Sequence, residues 1–272
     1  MLAEDLLRAG QPEEALAALT AEVRKKPADA DLRVFLFQLL AVLGHWDRAR
    51  TQIDVVADLK PDAVMLVNTC RMLLLCERHR EAVFAGSRDP VVFGEPAEWQ
   101  ALLVQALRRA AAGETGAASE LRSQALEAAP VTAGSIDEQP FAWVADSDSR
   151  LGPMLEAMVD GRYFWIPFER IREIRIDPPA QLRDLVWLPA YLAWENGGRT
   201  VGMLPVRYPG TTGQADGPLK LARKTLWEED ADGTVRGLGQ RVLATDQDDY
   251  ALLDIRRIEL QVGEPAPETE HG

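Results

Sequence analysis

The first 130 residues repeat themselves. Gly10 and Gly44, Ala15 and Ala49, Leu19 and Ile53, and Pro27 and Pro61 are each separated by 34 residues. A unit of about that length is one pair of antiparallel helices, which buries its apolar side only by stacking on another pair. The marks continue: Pro96 lies 35 residues beyond Pro61, Pro130 lies 34 beyond Pro96, and Gly113 lies 69 beyond Gly44. In the third unit Glu81-Ala82 echoes Glu14-Ala15 one residue out of step. Arg78 stands there where the glycine belongs.

Each mark has a physical job. Gly10, Gly44 and Gly113 close the first helix of a pair, where a left-handed residue costs glycine least. Ala15, Ala49 and Ala82 let two helices approach closely. The prolines stop the second helix. Leu32, Phe35, Leu36, Leu39, Leu40 and Leu43 recur at helical spacing between these marks. The register resembles that of tetratricopeptide repeats, although Arg33 and Leu40 occupy the places of the consensus Trp and Tyr. First helices line the concave side of such a stack. The register therefore places Asp31, Val34, Gln38, Met65, Asn68, Met72, Leu103 and Leu107 toward a groove that accepts an extended peptide or a helix. Met72, Leu103 and Leu107 also suit ordinary inter-helix core.

Beyond Pro130 the period changes. Residues 131–140 read as a linker. Trp143, Tyr163, Trp165, Trp187, Tyr191 and Trp194 then concentrate among β-branched residues. Strands are expected at 141–145, 162–166, 171–176, 185–188, 200–206, 219–227, 236–244 and 251–260, with one helix at about 149–159. Asn196-Gly197-Gly198 predicts a tight hairpin. The expected fold is α+β: an N-terminal α-solenoid of tetratricopeptide-like helix pairs (1–130), the linker, a mainly β domain (141–262) and a tail disordered by composition (263–272).

The 43 acidic residues outnumber the 30 basic ones, for a formal net charge of -13. That field repels phosphate backbones and anionic lipid, so neither nucleic acid nor membrane is expected as a partner. The N-terminus lacks a basic segment leading into an apolar one. The most apolar stretch, 64–76, contains Asn68 and Arg71, and the chain reads as cytoplasmic. Cys70 and Cys76 are six apart on an apolar helix, and three histidines offer little for a metal site. The carboxylate clusters at 228–232 and 246–249 lack the alternation of a calcium loop and read as solvated hairpin tips. No nucleophile elbow or phosphate loop is present. No catalytic set, metal or cofactor is expected.

Four stretches carry a more specific likeness: 162–176, with Tyr163-Phe164-Trp165-Ile166-Pro167-Phe168, then 178–187, 204–209 and 251–258. With the divergent repeats, they resemble the ImpE/TagJ, or SciE-type, family of virulence-associated accessory proteins of the bacterial type VI secretion system. The resemblance implies a non-enzymatic adaptor. Such an adaptor binds the N-terminal helix of the contractile-sheath small subunit and links to the AAA+ ATPase that disassembles contracted sheath. Two other readings stay open. In one, the β-rich domain is an enzyme or small-ligand module, which requires a pocket onto which groups such as Glu169, Arg172 or Arg207 converge. In the other, the chain is a generic repeat scaffold.

Overall fold

The computed structural model describes residues 2–231 and 233–262. The predicted tail, with His271, lies outside the described residues. Two helix pairs open the chain: α1 (Leu2–Arg8) with α2 (Pro12–Lys25), then α3 (Ala30–Val42) with α4 (Trp46–Leu59). Asp29 caps α3 by accepting the Leu32 N–H at 3.1 Å. Gly10 and Gly44 adopt φ of 78° and 73°. The residue after each returns its N–H to the last helical turn, His45 to Leu40 O at 2.9 Å.

The third unit departs from the repeat. Helix α5 (Val64–Phe84) runs 21 residues without a break. With Arg78 in place of glycine, nothing stops it until Gly86, at φ 69°. The expected second helix at Glu81-Ala82 is therefore absent, and Ala82 lies in the last turn of α5. The chain then forms β1 (Val91–Val92) before the final pair, α6 (Glu98–Ala111) and α7 (Thr115–Ala128).

The second half is mainly strand. In chain order it contains β2 (Gly134–Ile136), β3 (Gln139–Phe141), β4 (Val144–Asp146), β5 (Met154–Val159), β6 (Arg162–Pro167), β7 (Ile171–Ile176), β8 (Trp187–Trp194) and β9 (Arg199–Pro205). After the short helix α8 (Gly217–Lys220) come β10 (Thr225–Glu229), β11 (Val235–Gly239), β12 (Val242–Thr245), β13 (Asp249–Ala251) and β14 (Arg257–Leu260). Nine strands form one sheet in the order β1-β6-β5-β9-β8-β7-β14-β2-β3. All neighbours are antiparallel except β1 with β6. A three-stranded sheet, β13-β12-β4, and the hairpin β10-β11 complete the fold. The Asn196-Gly197-Gly198 hairpin forms as expected between β8 and β9, with Gly197 at φ 85°.

Several expectations fail locally. Of the strand expected at 219–227, the start lies in α8 and only 225–227 is strand, and the strands expected at 236–244 and 251–260 are each interrupted between two shorter ones. The predicted linker carries β2 and β3, whose turn residues Asp137 and Glu138 take positive φ without a glycine to announce it. Of the predicted helix at 149–159, residues 154–159 are strand β5 and 149–153 are the turn before it. The strand's six residues are all buried, and a mainly apolar run without alternation does not by itself distinguish a doubly covered strand from a helix. Met154 and Met158 face the helices, whereas Leu155, Ala157 and Val159 face a second core closed by β12 and β13.

Gly44 also touches the β half, because a Cβ there would lie 2.7 Å from Thr212 Cβ. Gly44→Ala combines left-handed strain with that collision and is expected to destabilise the chain by about 2–3 kcal/mol. Gly113→Ala, where a Cβ meets nothing within 4 Å, should cost about 1 kcal/mol. Urea midpoints of the two variants test the difference, and equal losses would show that the Thr212 contact is immaterial.

Candidate functional site

The groove expected inside the repeats is occupied by the chain itself. The 3-10 turn Leu182–Leu185 and the start of β8 fill it. The Arg183 N–H donates to Gln38 Oε1 at 3.2 Å, and its guanidinium lies 3.9 Å from Cys70 Sγ. Trp187 stacks on Phe37 with centroids 6.4 Å apart, tilts against Trp46 at 6.1 Å, and donates its Nε1–H to Glu77 at 2.8 Å. The sheet needs one apolar face covered, and the inner side of the helices supplies the cover.

This sorts the predicted groove residues. Gln38, Leu103 and Leu107 are buried within the chain. They therefore offer a partner no surface, which corrects their assignment to an open groove. Leu103 and Leu107 border a cavity of about 200 Å³ with Phe84, Arg122, Arg150 and Arg236. Val34 is half-buried against the helical core. Met65, Asn68 and Met72 lie together on the exposed face of α5, with Met65 77% and Met72 40% exposed. Val64 and Leu75 extend this apolar stripe, which recurs on one helical face. Met72 also rests on the β5–β6 turn at Gly161.

Beneath α5 is a buried charge cluster. Glu156, in the middle of β5, is fully buried. It accepts two hydrogen bonds from Arg80, at 2.6 and 3.0 Å, and others from Arg241 and Tyr163. Tyr163 in turn accepts the Trp165 Nε1–H at 2.6 Å. Arg241 bridges Glu156 to Asp146, which also accepts from Tyr208 at 3.0 Å. Arg80 comes from the part of α5 that overran its expected turn. Arg207 donates to the Ala41 and Val42 carbonyls at the end of α3, where a cation complements the helix dipole. Every carboxylate in this cluster faces arginine or hydroxyl donors. The Arg80–Glu156 ion pair therefore ties α5 to the sheet, and Arg241 joins Glu156 to Asp146 within the β half.

The signal in the sequence was slight: Glu156 is a lone carboxylate in an apolar strand, and Arg80 and Glu77 are the two charged residues buried on the inner face of α5. Glu169, Arg172 and Arg207 do not converge. Arg207 points into the helices, while Arg172 is exposed and donates to Glu195 O at 3.1 Å. Cys70 and Cys76 are buried, and burial pushes their thiols up to about 11 and about 12. Among the described residues, no group of three or more His, Cys, Asp or Glu side chains could hold a metal ion. No helix among them is long and apolar enough to cross a membrane.

The cluster is sensitive to acid. Burial works to raise the Glu156 carboxyl, but Arg80 and Arg241 overcome it and hold the group down at about 2, against an ordinary 4.5. Its contribution is present above pH 4.5 and lost as pH falls toward 2. The loss is about 3 kcal/mol for this one group. Asp146 acts oppositely. Burial raises it to about 6 against the attraction of Arg241, so its contribution is full below pH 3.8 and fades as pH rises through 6. The urea midpoint, followed by tryptophan fluorescence, is therefore expected to fall steeply between pH 4.5 and 2. A flat profile across that window would contradict the ion-pair account.

Three comparisons bear on this geometry. The model of the ImpE protein family matches residues 138–259, and a tetratricopeptide-repeat model matches residues 6–66. The type VI secretion system accessory component TagJ of Pseudomonas aeruginosa is 48% identical over 261 residues, covering 96% of this chain and 92% of that protein. The crystal structure of protein VPA1032 from Vibrio parahaemolyticus superposes with a TM-score of 0.89 at 24% identity. That alignment covers 97% of this chain and 98% of the other, and shows a shared fold.

Proposed function

The chain belongs to the ImpE family, and from that premise we propose that it is an accessory component of the type VI secretion system, acting as a protein–protein adaptor. The observation that carries this reading is the near full-length identity to TagJ, whose name supplies the secretion assignment. The tetratricopeptide match and the apolar stripe on α5 support the adaptor role. In its finer form, the chain holds the N-terminal helix of the sheath small subunit and links it to the AAA+ sheath-disassembly ATPase.

With the inner groove filled, the stripe Val64, Met65, Asn68, Met72 and Leu75 is the surface suited to that helix. Methionine side chains adapt to an incoming apolar face, and Asn68 supplies a polar contact for register. Capture of the sheath small subunit by the full chain tests this proposal. Deleting the subunit's first helix is expected to abolish capture. Met65→Asp with Met72→Asp should weaken capture at least about tenfold, because carboxylates would be buried against apolar anchors. Equal capture of intact and truncated subunits would remove helix recognition. Unchanged capture by the double variant would move the docking face away from α5.

A further inference from the structure

Among the described residues the β10–β11 hairpin has one engaged edge and one unpaired edge. Gln240 donates its N–H to Lys224 O at 3.0 Å, and Asp230 donates to Thr234 O at 2.9 Å. With Leu226 opposite Leu238 and Glu228 opposite Arg236, these bonds fix the phase of the ladder. Leu226 and Glu228 turn their backbone groups toward β11, whereas Thr225, Trp227 and Glu229 turn theirs outward. On β11 the outward groups are used: Gly239 O accepts from Tyr208 N–H at 3.0 Å, Val235 O accepts from Ser149 N–H at 3.0 Å, and Gly237 N–H donates to Asp148 at 3.1 Å. Among the described residues no second strand pairs with β10. Leu226 and Trp227 are 46% and 43% exposed. A five-residue edge with free backbone groups and exposed apolar side chains invites strand addition.

The charge along this edge selects its occupant. Arg223-Lys224 precede the strand, and Glu228-Glu229-Asp230 end it. We infer that β10 pairs antiparallel with β10 of a second copy of this chain, about a two-fold axis through Trp227. In that register Trp227 faces its own copy, Thr225 faces Glu229, and Lys224 faces Asp230. The basic end of each strand thus meets the acidic end of the other, and the two hairpins join into one four-stranded sheet. Within one chain Lys224 rests on Asp216 at 2.6 Å and Asp230 on Arg236 at 2.8 Å. Such solvent-exposed pairs contribute little and can be exchanged across the interface. The β10 edge shares no residue with the α5 stripe, so dimerisation and capture of the sheath subunit are tested separately.

Sedimentation velocity on the full chain over a concentration series tests it. The 30.1 kDa species is expected to give way to one of twice that mass. Trp227→Pro, which removes the central outward N–H, should abolish the heavier species. Lys224→Glu alone sets Glu against Asp230, and Asp230→Lys alone sets Lys against Lys224, so each variant should stay monomeric. An equimolar mixture of these two variants restores both opposite pairs and should recover the dimer. Circular dichroism confirms that each variant is folded. A parent chain that is monomeric throughout overturns the inference, as does a dimer that survives both single charge reversals or a mixture that fails to recover it.

Discussion

Replacing Glu156 by leucine is expected to cost about 3–5 kcal/mol, because two buried guanidinium groups lose their shared carboxylate. Arg80 and Arg241 are both buried and reach Glu156 from different elements, one from α5 and one from the turn before β12. Asp146 can still neutralise Arg241, but Arg80 is left with the Arg207 carbonyl at 2.8 Å and the more distant Glu77 carboxylate at 3.6 Å. Tyr163 also loses its acceptor. The loss should appear as a lower urea midpoint and a weakened near-ultraviolet signal from Trp165. A triple variant, Arg80→Met, Glu156→Leu and Arg241→Met, removes the charges together and should recover part of the stability, since well-packed apolar groups often replace a buried ion pair without penalty. A loss below about 1 kcal/mol in Glu156→Leu would show that the cluster is hydrated enough to dispense with its central carboxylate.

Trp187→Ala should lower stability by about 3–5 kcal/mol through lost packing alone. Its ring is 1% exposed and lies between Phe37 and Trp46, so removal leaves a void where the repeats meet the sheet. Glu77 also loses its indole donor. Trp187→Phe retains most of the packing and discards the hydrogen bond, for an expected loss of about 1–3 kcal/mol. Chemical denaturation separates these cases. Helical ellipticity and tryptophan fluorescence should shift together in both variants, because the helices and the sheet share one core. Helices that melt apart from the sheet in the parent chain would contradict this coupling.

The repeat was legible because its marks are local. A glycine closes a helix and an alanine permits close approach wherever the chain goes, so α1 to α4 and the pair α6–α7 follow from residue spacing. Even the break in the third unit was written at Arg78, although its result, an uninterrupted α5, was not anticipated. Strands β6, β7 and β9 were legible from their apolar and β-branched runs. Strand β5 was not, since burial on both faces erases the alternation that distinguishes a strand. Strands β2 and β3 hid behind a turn without glycine.

The candidate site divides the same way. Helical spacing alone placed Met65, Asn68 and Met72 on one face, and that face is exposed. Whether the inner groove would be open was decided elsewhere, by a turn more than a hundred residues downstream at Leu182–Leu185 and by Trp187. The sequence by itself determined which segments become helices, where most of them end and which side of each is apolar, because those are nearest-neighbour matters of backbone conformation and spacing. Only the tertiary structure decided what covers each apolar face. Glu156 finds Arg80 76 residues away and Arg241 85 residues away, and no local pattern encodes which distant surface will exclude water from a given side chain.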